Sequence, residues 1–254
     1  MVIWKNGMKF KEFYFKNKEL SEECFEEQIK SRLRDYHLKS GNVWNYTEAT
    51  TIEEVYNSNK IEGNTLTLSE THLVINELVT VDKPLSHAIE ALNLNVAIRK
   101  FRKVDTVNHE LLKAIHNGVC EHLVNSSELG VYRNCNVYIS GSNHLPCNFT
   151  EVESKMEYYI NKYNNSLREL RDIFELKFRI VYIHPFVDGN GRVSRLIMNA
   201  LLEHEGYPRI IIDADEKSLY YKALEQYSVE GKRESWIKFC YLSLLYGMMR
   251  VVEI

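Results

Sequence analysis

IVYIHPFVDGNGRVSRLIMNALL, residues 180–202, is the stretch on which the reading of this chain turns. Pro185 disfavours the α region for the residue before it, so a helix arriving from the N-terminal side is expected to stop at His184. Gly189 and Gly191 let the backbone turn sharply and approach a ligand closely. A new helix is expected from about Asn190, and its first N–H groups have no intrahelical partner. A glycine loop that feeds a helix N-terminus is an anion site suited to phosphates. Arg192 and Arg195 lie about one turn apart on that helix and can both reach a polyphosphate. Asp188 is a hard oxygen ligand of the kind Mg²⁺ uses beside phosphates. His184 projects from a helix end and can take a proton near neutral pH. A His-Pro helix end or a Gly-Asn-Gly turn taken alone is usually an ordinary connection. A base, a metal carboxylate, an anion nest and two guanidiniums within twelve residues instead point to phosphoryl or nucleotidyl transfer.

Outward from this stretch the periodicity is helical. Helices are expected over 19–36, 51–62, 67–78, 86–102, 108–123, 150–164, 168–183, 192–205, 217–230 and 234–249. Thr51 with Glu54, and Thr150 with Glu153, have capping-box spacing. Gly63 is a natural stop for the helix before it. Within 131–139, VYRNCNVYI departs from the pattern: β-branched and aromatic residues flank a polar centre, which suggests a short hairpin or extended flap. The expected fold is all-α, a helical bundle with a small β-hairpin flap. On the helix over 51–62, Ile52, Val55, Asn59 and Glu62 share one stripe. An acid on an inward stripe at a helix C-terminus is unfavourable without a cation partner.

Composition excludes several classes. A net charge of −3 supplies no basic field for nucleic acid. Cys24, Cys120, Cys135, Cys147 and Cys240 form no C-x-x-C pair, which reads as free thiols in a reducing compartment. His116, Cys120 and His122 match no zinc spacing, and core packing with a helix surface accounts for them better. The opening MVIWKNGMKFKEFYF has its apolar residues broken by Lys and Gly, unlike a signal peptide. No window approaches eighteen uninterrupted apolar residues, so no membrane span is expected. The expected location is cytoplasmic.

The segment 184–195 resembles the Fic signature, His-x-Phe-x-Asp/Glu-Gly-Asn-Gly-Arg-x-x-Arg, with every fixed position filled. Its surroundings look like the animal Fic adenylyltransferases, and the resemblance runs over residues 50 to 245. The membrane anchor and tetratricopeptide repeats of those enzymes have no counterpart in this sequence. The resemblance implies an ATP- and Mg²⁺-dependent protein adenylyltransferase acting on Ser, Thr or Tyr hydroxyls. It implies that His184 deprotonates the target hydroxyl and that Asp188 holds Mg²⁺. Gly189, Asn190 and Gly191 would bind the α- and β-phosphates with Arg192 assisting, Val193 and Ser194 would lie within the motif, and Arg195 would grip the γ-phosphate. Val137, Tyr138, Ile139 and Ser140 would form a flap that aligns the target segment by main-chain pairing. Tyr220 and Tyr221 match a Tyr-Tyr pair at the nucleotide base. Ser228 stands where the animal enzymes place an Asn at the base, which is a departure from the family pattern.

Ser58-Asn59-Lys60-Ile61-Glu62-Gly63 matches the Fic inhibitory motif, Ser/Thr-x-x-x-Glu-Gly/Asn. The resemblance therefore implies that Ser58, Glu62 and Gly63 belong to an inhibitory helix ahead of the catalytic core, with Glu62 paired to Arg195 in the space of the γ-phosphate. IEGNTLTLSE is very close to the animal sequence, and those relatives can also remove AMP. The expected organisation is an N-terminal helical extension over 1–45 and a Fic domain over 46–250. Other readings stay open: a Fic-fold transferase of phosphate, UMP or phosphocholine, an enzyme that mainly removes AMP, or a non-catalytic nucleotide-binding regulator. Gly191 argues against the phosphate-transferring relatives, which lack this second glycine, and an intact His184 argues against a mere binder. The implied partner is a target protein. In the animal enzymes that is a heat-shock 70 class chaperone; here an unrelated target is equally open. Family dimers leave a homodimer as a further expectation.

Overall fold

The computed structural model describes residues 8–42, 46–79 and 81–252. The opening MVIWKNG lies outside the described residues, as do residues 43–45 beside the 45/46 boundary. Among the described residues there are eleven α-helices and no strand. They are α1 (Phe10–Asn17), α2 (Glu22–Gly41), α3 (Tyr46–Ile61), α4 (Leu68–His72), α5 (Leu85–Lys100), α6 (His109–Cys120), α7 (Val152–Asn164), α8 (Leu170–Ile183), α9 (Asn190–His204), α10 (Lys217–Ser228) and α11 (Arg233–Val252). A single π-helical turn, Leu73–Glu77, continues α4 and ends at Leu78 in the left-handed region.

The centre of the bundle is α8 packed against α9, with α10 and α11 beside them and α2 along α11. Both central helices are buried over most of their length, from Ile173 to Ile183 and from Val193 to Leu202. Trp236, Phe174, Phe178 and Tyr241 fill the space between α8 and α11, and the Trp236 Nε1–H donates to the Phe174 carbonyl at 2.8 Å. α3 lies across α5 and α9 and so brings the 58–63 segment to the N-terminal end of α9. Burial of these apolar side chains is what holds the two ends of the site at fixed positions.

Several expectations are corrected. Thr51 does not cap a helix, because α3 starts five residues earlier, at Tyr46. The Thr51 hydroxyl donates back to the Thr47 carbonyl, while the Glu54 carboxylate is engaged by Arg209 and Asn199. Thr150 does not cap α7 either. Asn148 and Glu151 form the capping box two residues before the predicted cap, since the Asn148 side-chain oxygen accepts from the Thr150 N–H. Further capping boxes are Thr67 with Glu70 before α4 and Glu169 with Asp172 before α8. α1 lies within the expected N-terminal helical extension, although no separate helix is expected over its residues: its two inward rings, Phe10 and Phe13, find partners in Phe239 and Tyr246 of α11, contacts that no local pattern announces. The flap over 131–142 forms no hairpin ladder. Its base is held instead by one side chain, Arg133, and its outer edge is left unpaired.

Candidate active site

α8 ends where Pro185 requires. His184 is its C-cap in the left-handed region, with φ 55° and ψ 62°, a conformation that non-glycine residues adopt only when the surroundings hold it there. The clamp is Arg133, which is buried. Its Nε–H donates to the His184 carbonyl at 2.8 Å, Nη1 to Cys135 at 2.7 Å and Nη2 to Cys147 at 2.6 Å. The Arg133 backbone N–H also donates to the Pro185 carbonyl. A guanidinium across carbonyls at a helix C-terminus is favoured electrostatically as well. Sequence reasoning missed Arg133, and its carbonyl partners 14 and 51 residues away leave no local signature.

The imidazole of His184 has one committed nitrogen. Nδ1 sits 3.3 Å from the Val181 carbonyl, an acceptor, so Nδ1 carries the proton and Nε2 is left as the basic atom. Burial, opposed in part by that bond, lowers the His184 pKa below the ordinary imidazole range. The ring is therefore neutral near pH 7, the form a general base needs.

The loop 184–190 closes on itself through Asn190. The Asn190 Oδ1 accepts from the Phe186 N–H and its Nδ2 donates to the Phe186 carbonyl, both at 2.9 Å. Its side chain is thereby consumed by loop geometry, and only its backbone N–H remains for a ligand. Gly189 has φ 74°, and a Cβ there would collide with the Cys120 thiol and press on the His116 ring. Both residues belong to α6, beneath the loop. His116 stacks on Phe186 with centroids 4.0 Å apart. It accepts from the Gly130 N–H at Nδ1 and so donates from Nε2 to the Asp188 carbonyl at 3.2 Å. Burial pushes the His116 pKa down to about 4 and the Cys120 thiol up to about 11. Both are uncharged supports for the turn.

At the start of α9, Arg192 is buried. It pairs with Asp188 at 3.2 Å and with Glu90 of α5 at 3.3 Å. The other Glu90 oxygen accepts from Asn64, two residues past Glu62. The Asp188 carboxylate remains 64% exposed. Among the described residues no group of three His, Cys, Asp or Glu side chains could hold a metal by itself. One open carboxylate beside an anion loop suits Mg²⁺ carried in by phosphates.

Arg195 is 5% exposed at its side chain and meets Glu62 with Nη2–Oε1 at 2.7 Å. Its Nε and Nη2 also donate to the Ser58 hydroxyl and carbonyl, each at 2.9 Å. Glu62 follows the last residue of α3, and Gly63, with φ 102°, turns the chain away. A Cβ on Gly191 would run into the Glu62 carboxylate, so the acid sits directly over the anion loop.

One cavity of about 770 Å³ is lined by Glu62, His184, 187–192, Tyr138, Ile139, Ser140, Tyr220, Tyr221 and Ser228. Tyr138 is 86% exposed at its rim. The Ser142 hydroxyl and the Asn143 N–H donate to Glu225 of α10 and fasten the flap tip over the cavity. The Tyr221 hydroxyl donates to the Ile61 carbonyl, which joins the α10 side of the cavity to the end of α3. Ser58, Gly63, Val137, Val193, Ser194 and Arg195 lie off the cavity lining, Arg195 behind Glu62. Ser194 is fully buried and donates to the Gly191 carbonyl.

Comparison with known proteins follows the same outline. The chain is 33% identical over 197 residues to a protein adenylyltransferase Fic of Drosophila grimshawi, an alignment spanning 74% of this chain and 40% of that protein. The chain thus spans about two fifths of the length of the curated relatives it matches. A Fic family protein from Desulfovibrio desulfuricans G20 has the same fold, with a TM-score of 0.81 at 20% identity over 91% of this chain and 74% of the other. Fic-1 (residues 134–508) from C. elegans superposes with a TM-score of 0.77 at 20% identity, covering 91% and 72%. Residues 106–202, which hold His184, the Gly189–Gly191 loop and both arginines, match the sequence model of the Fic/DOC family, so the chain carries a Fic domain.

Proposed function

We propose that this protein transfers AMP from ATP to a Ser, Thr or Tyr hydroxyl of a target protein and that Glu62 restrains the reaction. The observation that carries the reading is the contact of Glu62 with Arg195, 2.7 Å long, where Glu62 lines the same cavity as the neutral His184. In this reading the N–H groups at the start of α9 receive the α- and β-phosphates, and Arg195 binds the γ-phosphate once Glu62 has left. Arg192 is already committed to Asp188 and Glu90, so it assists by neutralising charge beneath the loop. Asp188 would hold Mg²⁺, which supplies charge stabilisation for the departing pyrophosphate. The target hydroxyl attacks the α-phosphorus as the bond to the β-phosphate bridging oxygen breaks, and its proton passes to Nε2 of His184. The edge of 137–140 lacks a pairing partner and suits an extended target segment. Tyr220, Tyr221 and Ser228 stand where the base would rest.

Removal of AMP by the same site is a second reading with its own support. Glu62 shares the cavity with His184, and its second oxygen has no hydrogen-bond partner among the described residues. That oxygen can orient a water. A heat-shock 70 class chaperone as target and assembly as a homodimer belong to the proposal as well. No helix among the described residues is long and apolar enough to cross a membrane.

Mass spectrometry of the wild type and of Glu62→Gly, each incubated with Mg²⁺ and ATP, tests the reading. An AMP adduct that appears or grows in Glu62→Gly is expected. A phosphate adduct, or no adduct in either protein, would overturn it.

A further inference from the structure

Lys177 is fully buried in α8, and no carboxylate pairs with it among the described residues. It lies two turns before His184 on the same helix, so the two share a face. Its Nζ bonds to the Tyr220 hydroxyl at 2.7 Å and lies 4.5 Å and 4.3 Å from the ring centroids of Tyr220 and Trp236. The titratable and charged groups that act on it from neighbouring elements are Tyr220 of α10, Cys240 of α11, Arg195 of α9 and Glu62 beyond α3. The Tyr220 hydroxyl in turn interacts with Arg195, whose Nη1 lacks a hydrogen-bond partner of good geometry. A buried lysine with only a hydroxyl and two rings for company is costly unless it has a task.

We propose that Lys177 is a positioning residue for the terminal phosphate: through the Tyr220 hydroxyl it supports Arg195 from behind, and it supplies a second positive charge when a triphosphate displaces Glu62. The proposal rests on the reading of Arg195 as the γ-phosphate ligand. With Glu62 in place, burial pushes the Lys177 amine well below the ordinary lysine range; Arg195 adds to this, and Cys240 and Glu62 oppose it. The resting amine is therefore biased toward the neutral form. A terminal phosphate carries more negative charge than the carboxylate it replaces and favours the ammonium form. Binding of a triphosphate then takes up a proton from solvent at Nζ. A diphosphate, which ends short of Arg195, does not.

The test is titration calorimetry of Glu62→Gly and of Glu62→Gly with Lys177→Met. The ligands are Mg²⁺ with α,β-methylene-ATP, whose α–β bond cannot be cleaved, and Mg²⁺ with ADP. Measurements at pH 8 in buffers of different ionisation enthalpy count the protons. We expect uptake of about half a proton or more with the triphosphate analogue and none with ADP. Lys177→Met should abolish the uptake and reduce the preference for triphosphate about tenfold. Tyr220→Phe keeps the ring and removes the hydroxyl; it should lose the uptake too, and it decides the matter if Lys177→Met does not fold. Equal proton counts and equal preference with and without Lys177 would overturn the proposal alone. A Glu62→Gly protein that binds neither nucleotide would overturn the functional reading and this proposal together.

Discussion

Helix α3 and the residue just after it carry two acids eight residues apart, Glu54 and Glu62, each paired with an arginine. Glu54 is 6% exposed and Arg209 8%. Arg209 engages both Glu54 oxygens, Asn199 donates to Glu54 as well, and Arg209 also reaches Glu203, which binds Arg102. Every partner is satisfied, and the network ties α3 to α9 and to the chain after α5. Glu62 is 33% exposed and has a single contact to Arg195. It lies just past the end of the helix, beside a glycine with φ 102°. A buried pair that loses one member leaves an uncompensated charge, so the Glu54 site is locked. The Glu62 site can open toward solvent, where a ligand can take over its arginine. The same acid–arginine chemistry is closed in one place and open to solvent in the other because the surrounding packing differs.

The largest effect is expected where opening of the Glu62 site has to yield chemistry. In Glu62→Gly, the further change His184→Ala should lower AMP transfer about a hundred- to ten-thousand-fold while ATP still binds, measured with labelled ATP. Retained transfer would remove His184 as the base. Glu54→Ala should destabilise the fold by about 3–5 kcal/mol, read from denaturant unfolding. A loss below ~1 kcal/mol would mean that the two pairs are equivalent after all. Glu62→Gly should change stability far less than that, and should raise automodification or target modification at least about tenfold, ~1.4 kcal/mol in effective barrier. Equal rates at subsaturating ATP would make the Glu62 contact structural like its neighbour.

The smallest effect is in pH dependence. Because burial lowers the His184 pKa, the neutral base persists to lower pH than for a free imidazole. The acid limb of kcat/KM for Glu62→Gly should fall below ~6.5. The same depression means that the stability this group contributes is complete above the unfolded value near ~6.5 and declines as pH falls through that value toward the folded one. An acid limb at or above ~6.5 would contradict the buried, neutral histidine.

What could be read from residues 180–202 was local. Proline stopped α8 at His184, Gly189 adopted φ 74°, and α9 began at Asn190, all through sterics and backbone hydrogen bonds within a few residues. The π-helical turn after α4, the displaced caps at Thr51 and Thr150 and the missing flap ladder were not legible. Two of these were settled by partners elsewhere: Glu54 was drawn to Arg209, and the flap was tied by Arg133 and Glu225.

The sequence by itself determined the helical class, the anion loop with His184, Asp188, Arg192 and Arg195 in order, and the presence of an acid at 62 that required a cation. Only the tertiary structure decided how these groups are held. It seated Glu62 on Arg195 across 133 residues of chain, turned the Asn190 side chain into a loop brace, and placed Arg133 and Lys177 behind the site. Hydrogen bonds within a turn are set by nearby residues and so leave a pattern in the chain. The partner of a buried charge is set by which helices pack together, and that depends on the whole core at once.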